Sequence, residues 1–437
     1  MSEPVISAGD TAWVLTSTAL VLLMVPGLAL FYGGLVRTRA VLNTFMMSVA
    51  ALAAVSVQWV LGGYSLAFGP GAIIGHTGWL GLVGVGVAPG PYSATIPHLA
   101  FVGFQAMFAG ITVALISGAM VERVRFHTFV LFALLWTTLI YDPLAHWVWA
   151  GDGWLHKLGA LDFAGGTVVH ISAGTAALVS AAMLGRRRDL GRTPLRPHNV
   201  VLTLTGAGLL WVGWLGFNAG SALAADGVAA VALVNSHAAA AAAMLVWLTI
   251  EFVRGGQATA VGGATGIVVG LVAITPAAGY VTPLAALAIG AFGAAASYAA
   301  VQLRNHTSID DALDVFACHG VAGIVGSLLT GVFATTSVNA AGANGLLAGN
   351  PRLLGVQALA VLCTIAFTAP MTALVLRLSA FGSLRVLLPG ELTGVDVSEH
   401  GEHAYDDSES SATAGGGGLR ISEPVMLSMV QRPADAA

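Results

Sequence analysis

Charged side chains are scarce in this chain. Asp, Glu, Lys and Arg make up 9% of its 437 residues, where soluble domains carry roughly a quarter. That scarcity excludes a water-soluble globular domain. With 57% hydrophobic residues and a mean hydropathy of +0.84, the chain reads as an all-α polytopic membrane protein. The net charge of −4 is set by loops and tails and offers no basic surface, so no nucleic-acid partner is expected. Cysteine is nearly absent. Cys318 and Cys363 both lie in apolar segments, which excludes a disulfide framework and zinc-ligand spacing. Residues 1–10 hold Glu3 and Asp10 but no Lys or Arg, so the basic start of a cleaved signal peptide is missing. The first apolar stretch is therefore expected to be a retained span.

What is present is a series of long apolar runs. Crossing a hydrocarbon core takes ~20 residues of helix. By that measure there are eleven transmembrane helices, roughly at 11–33, 42–66, 99–121, 127–149, 164–184, 199–221, 228–253, 259–280, 283–303, 313–334 and 353–380. Arginines follow the odd-numbered spans: Arg37 and Arg39, Arg123 and Arg125, the run from Arg186 to Arg196, Arg254, Arg304 and Arg385. The even-numbered exits hold only Lys157 and Arg352. The positive-inside rule then places the N-terminus outside and the C-terminus inside. Residues 1–385 form the transmembrane domain and 386–437 a cytoplasmic tail on this reading.

Two histidines stand inside apolar segments with one local spelling: His170-Ile-Ser-Ala-Gly174 and His319-Gly-Val-Ala-Gly323. An ionisable side chain in a span is costly, so its default reading is functional. The two strings lie five spans apart. Phe31-Tyr32-Gly33-Gly34 and Phe217-Asn218-Ala219-Gly220 echo each other at the ends of spans one and six. Both echoes suggest an inverted 5+5 repeat plus a final helix, with a solute path at the repeat interface. His170 lies eight residues beyond Asp162 and His319 eight beyond Asp311, a depth of ~12 Å in each helix. Entering from opposite faces, the two imidazoles are expected to meet near mid-membrane. An intramembrane metal or hydrolytic site lacks the parts: no His-Glu-x-x-His, no third ligand and no nucleophile motif accompany them. No metal, cofactor or enzymatic activity is expected.

Several longer strings then resemble the ammonium transporter family (Amt/Mep/Rh), on its bacterial Amt side. They are Pro26-Gly-Leu-Ala-Leu-Phe-Tyr-Gly-Gly34, Phe104-Gln-Ala-Met-Phe108, Ala145-His-Trp-Val-Trp149, Leu161 to His170, Gly216-Phe-Asn-Ala-Gly-Ser221 and Asp314-Val-Phe-Ala-Cys-His-Gly320. The resemblance runs from span one to about Tyr405. It implies that Trp149, Ser221 and Phe108 receive ammonium at the outer mouth, supported by the buried carboxylate of Asp162. It implies that Phe108 and Phe217 form a stacked gate, and that His170 and His319 line the conduction lumen. It also implies a homotrimer, a PII-type signalling protein at the cytoplasmic face, and ammonium or ammonia as the solute, with methylammonium as a further candidate. The Trp149–Ser221 pair favours the Amt/Mep branch over the Rh branch.

Each residue has an ordinary structural reading as well. An interfacial Trp anchors a helix, a Ser at a helix end bonds backbone, and buried Phe pairs fill a core. Asp162, Asp310 and Asp311 read as caps at helix starts, with Asp314 left open. Beyond Arg385, Gly394-Val-Asp-Val-Ser-Glu-His-Gly-Glu-His-Ala-Tyr405 resembles the family's tail motif, which implies packing beneath neighbouring subunits. The Ser-rich stretch and Gly415–Gly418 read as a linker, and Ile421 to Val430 as a semi-apolar run. No signalling domain is appended, which favours a transporter over the rival function of an ammonium sensor with little flux.

Overall fold

A computed structural model of the chain describes residues 5–192, 195–380 and 382–405. The Gly-rich stretch and the run from Ile421 to Val430 lie outside the described residues. Helix dominates, as expected where a lipid environment leaves backbone groups no water to bond. Among the described residues, ten helices are long and apolar enough to cross a membrane: Ala8–Leu35, Thr38–Phe68, His98–Met120, Phe126–Leu158, Gly166–Leu184, Val200–Gly220, Gly227–Gly255, Pro283–Arg304, Phe316–Phe333 and Pro351–Ser379. Several start on a side-chain cap, with Ser7, Asn199, Asp226, Thr259, Thr282 and Asn350 each accepting a first-turn N–H.

The segment expected at 259–280 departs from its neighbours. Its helix covers only Ala260–Ile274, because Pro276 stops it. The backbone beyond runs in turns that are held by protein: Asn235 Nδ2 donates to the carbonyls of Ala278 and Val281 at 2.8 and 2.7 Å. The Pro276 carbonyl accepts from Phe163 N at 3.1 Å. Irregular backbone at such depth is tolerated where protein satisfies it. This turn abuts the start of the helix that carries His170.

Small residues let the helices close. The helix Val200–Gly220 lies against Ala8–Leu35, with Gly206 against the backbone of Phe31 and Gly220 against Ser17. Close approach of this kind suits association without a hydrophobic drive. Between the second and third helices, a two-stranded ribbon pairs Pro89–Gly90 with Ser93–Pro97.

The arginine-rich face is held by ion pairs. Arg187 and Arg123 both face Asp310, and Arg37 bridges Glu122 and Asp189. Asp310 is therefore not the helix cap expected of it. Its Oδ2 accepts from the backbone and guanidinium of Arg187 at 2.8 and 3.0 Å, and Oδ1 accepts at 2.9 Å. Asp311 does cap, accepting from Phe316 N at 2.7 Å, and Asp314 pairs with Arg304.

The described part of the tail docks on the same face of its own chain. Asp396 accepts from the N–H groups of Leu42 and Asn43 at 3.1 and 2.8 Å, and Glu399 from Phe126 N at 2.9 Å. Each carboxylate thus satisfies orphan donors at a helix start.

Candidate functional site: two buried histidines beneath an aromatic stack

The two histidine-bearing helices open in the same unusual way. Gly166–Ile171 and Phe316–Val321 are π-helical turns, each followed by α-helix. Such turns are rare and recur at functional sites. His170 N donates five residues back to the Gly165 carbonyl at 3.0 Å, and Gly165 takes φ +113°, a conformation that glycine adopts without strain. Asp162 holds this start from outside it. Its Oδ1 accepts from Gly165 and Gly166 at 2.9 and 2.6 Å, and its Oδ2 from Thr167 and Val168 at 2.8 and 3.2 Å.

The same Asp162 also orients Trp149. Its backbone carbonyl accepts the indole N–H of Trp149 at 2.9 Å. Trp149 stands edge to face with Phe108, 6.0 Å between centroids. Trp149, Phe108 and Ser221 line one vestibule. Ser221 donates its hydroxyl to the Phe217 carbonyl at 2.9 Å, which leaves its lone pairs free to accept.

At the floor of the vestibule the rings of Phe108 and Phe217 stack, 4.0 Å apart and 15° from parallel. Below them a narrow apolar cavity is lined by Phe217, Leu28, Ile111, Trp214, His170 and His319. His319 also lines the next cavity, which opens toward the arginine-rich face beside Tyr32, Glu251 and Asp314. The two lower cavities share Phe31, Val268 and His319, and the stacked pair Phe108 and Phe217 stands between the vestibule and the upper of them.

The imidazoles meet where the series is narrowest. Their Nδ1 atoms lie 3.3 Å apart, and the rings stand 5.4 Å apart at 23°. His170 is 1% exposed and His319 3%. One Nδ1 must carry the shared proton and the other offer a lone pair. His170 Nε2 has no partner.

Sequence reading missed the residues that support this pair. Trp214 stacks on His170 at 5.3 Å, its own indole N–H fixed by Thr275 Oγ1 at 2.9 Å. It lies one helical turn before Phe217, a signal that was available. Gln105, one turn before Phe108, lines the vestibule with its Oε1 unpartnered.

The sequence profile of the Ammonium Transporter Family matches residues 12–405. An ammonium transporter of Bacillus subtilis is 50% identical over 403 residues, covering 92% of this chain and 99% of that protein. One from Aquifex aeolicus is 49% identical, covering 93% of this chain and 95% of its own. Among solved structures, Saccharomyces cerevisiae Mep2 superposes with a TM-score of 0.83 at 37% identity, covering 88% of each chain. A Sensor Amt Protein gives 0.82 at 30%, covering 90% of this chain and 98% of the other. The chain belongs to the ammonium transporter family and is a multi-pass protein of the cell membrane.

Proposed function

We propose that this chain recruits ammonium at the Trp149 vestibule, where it gives up a proton, and passes ammonia by His170 and His319 to the arginine-rich face, the proton either returning to the vestibule side or crossing in parallel. That face is cytoplasmic on this reading, with the N-terminus outside, the C-terminus inside and eleven spans, the short helix Ala260–Ile274 being the eighth. The observation that carries the proposal is the 3.3 Å approach of the two imidazoles between an aromatic stack and an inner cavity.

Selectivity is the physical problem. Ammonium matches potassium in charge and nearly in size, so a charged pore would pass both. Ammonium alone can shed a proton. Trp149 attracts the cation through its ring face, and Ser221 accepts an N–H. Moving on past the Phe108–Phe217 gate strips hydration in an apolar passage, which disfavours charge. Neutral ammonia then exchanges hydrogen bonds with the two imidazoles, which both donate and accept. Asp162 supports recruitment chiefly through structure, since its oxygens are taken by four backbone donors.

The family supports a homotrimer with one passage per subunit and a PII-type regulator at the cytoplasmic face, with residues 386–437 as the tail. Methylammonium fits the same chemistry. Likeness to a Sensor Amt Protein supports a second reading, an ammonium sensor that signals with little flux. Purified protein in liposomes separates the two. An ammonium-driven change of lumenal pH or current, with none from potassium, supports transport, and both signals equal to empty liposomes overturn it.

A further inference from the structure

The vestibule holds more aromatic surface than recruitment at Trp149 and Ser221 requires. Trp79 and Tyr92 line it as well, together with the carboxylate of Asp152. Both rings are half-buried and rigidly backed. Trp79 stacks on Tyr64 at 5.6 Å and 21°, and its backbone N–H is held by Ser65 Oγ at 3.1 Å. Tyr92 stacks on Phe101 at 4.8 Å and 10°, with its hydroxyl bonded to the Phe68 carbonyl. Each ring therefore has one face covered by a neighbour. Aromatic anchors of a membrane interface ordinarily face lipid, whereas these border a cavity.

We propose that Trp79, Tyr92 and Asp152 form a separate outer station for methylated ammonium cations, ahead of Trp149 and Ser221. The chemistry differs between the two stations. Trp149 and Ser221 combine a ring face with a hydrogen-bond acceptor, which suits a cation bearing N–H groups. The Tyr92 hydroxyl donates to the Phe68 carbonyl, so the outer station differs in offering two ring faces and a carboxylate in place of one ring and a serine. Ring faces bind cations electrostatically, and quaternary ammonium groups are recognised by aromatic cages in this way. Asp152 adds a carboxylate, shared with Lys157 in an exposed pair (Oδ1 to Nζ 3.2 Å) that leaves it open to a competing cation. Asp152 also lies close enough to Tyr92 that, after burial, its charge is what pushes the Tyr92 phenol upward.

A cation without an N–H, such as tetramethylammonium, has no proton to lose. It would stop at this station and obstruct the vestibule above the gate. The inference concerns binding alone, so its outcome is separable from whether the chain conducts ammonium.

Saturation-transfer NMR on the methyl protons of tetramethylammonium, with the purified full chain in detergent, tests it. The wild type is expected to bind. Trp79→Leu and Tyr92→Leu are each expected to weaken binding by about threefold to tenfold, the range of one cation–π contact. Asp152→Asn is expected to weaken it mainly at low salt, where exposed charges act over longer distances. Thermal unfolding of each variant identifies any that fails to fold, and Tyr92→Phe, which keeps the ring, is expected to keep binding. No wild-type saturation transfer would overturn the proposal. So would binding that survives Trp79→Leu and Tyr92→Leu but is lost in Trp149→Leu, which would assign the cation to the inner station.

Discussion

Gly174 lies directly against the backbone of Gly320, and Gly323 lies against the Gly166 carbonyl and the Cβ of His170. These contacts explain the shared spelling His-x-x-Ala-Gly. The glycine one turn beyond each histidine lets the two helices cross so closely that the imidazoles touch. A side chain on Gly174 would collide with backbone atoms, which cannot move aside as a flexible side chain can.

Gly174→Val is therefore expected to part the two helices and separate the rings. Overpacking a tight contact costs about 1–3 kcal/mol. Thermal unfolding in detergent should show the loss, and ammonium currents should fall further than stability alone would explain.

Asp162→Ala would leave four backbone donors without their acceptor. At about 1–3 kcal/mol for each buried group left unpaired, the start of the His170 helix should not hold its form. Asp162→Asn keeps one carbonyl oxygen and is expected to fall between. Folded yield and melting temperature check the order wild type, Asn, Ala.

The arginine-rich face should set the acid limit of stability. Burial alone would raise the Asp310 carboxyl, but the hydrogen bonds of Arg187 and the charges of Arg187 and Arg123 outweigh it and hold Asp310 below its ordinary value. At Asp189 too, burial would raise the carboxyl, but the hydrogen bond and charge of Arg37, with the charge of Arg39, hold it lowered. A depressed carboxyl contributes stability that is complete above its unfolded value of about 3.9 and is lost as pH falls through the folded value. Melting temperature should thus hold steady above about pH 5 and drop below about pH 4. Asp310→Asn should lower it at neutral pH and flatten that drop, because Arg123, fully buried, loses its partner charge.

Asp396 and Glu399 are expected to act as caps lent by the tail. Asp396→Ala and Glu399→Ala should each cost about 0.5–2 kcal/mol. Hydrogen exchange should quicken at the amides of Leu42 and Asn43 in the first variant and of Phe126 in the second, with little change elsewhere.

The helical spans were legible because apolar length is a strong signal and arginines mark the breaks between them. The approach of His170 and His319 was legible from equal offsets to Asp162 and Asp311. The depth argument assumed regular α-helix from each aspartate, whereas the chain follows a turn and then a π-helical stretch. The offsets still matched because both segments depart from α geometry alike. The short helix Ala260–Ile274 was overextended because residues 275–280 carry no charge to mark a break, and a hydropathy window does not register that Pro276 stops the helix. Asp310 was misread as a cap because a carboxylate before a helix looks alike in sequence whether it faces backbone or arginine. Its partners stand 123 and 187 residues away. Trp214 and Gln105 stood one turn before Phe217 and Phe108, a spacing open to view, but the direction of each side chain is set only once the helices are packed.

Solid-supported-membrane electrophysiology of the wild type beside His170→Ala and His319→Ala tests the central claim most directly. With the proton crossing in parallel, the wild type should give currents with ammonium and none with potassium; with the proton left behind, it should give a lumenal pH rise in their place. Each histidine variant, folded and inserted to the same extent, should lose that ammonium signal or its discrimination against potassium. Wild-type signals and unchanged selectivity in both variants would contradict the account.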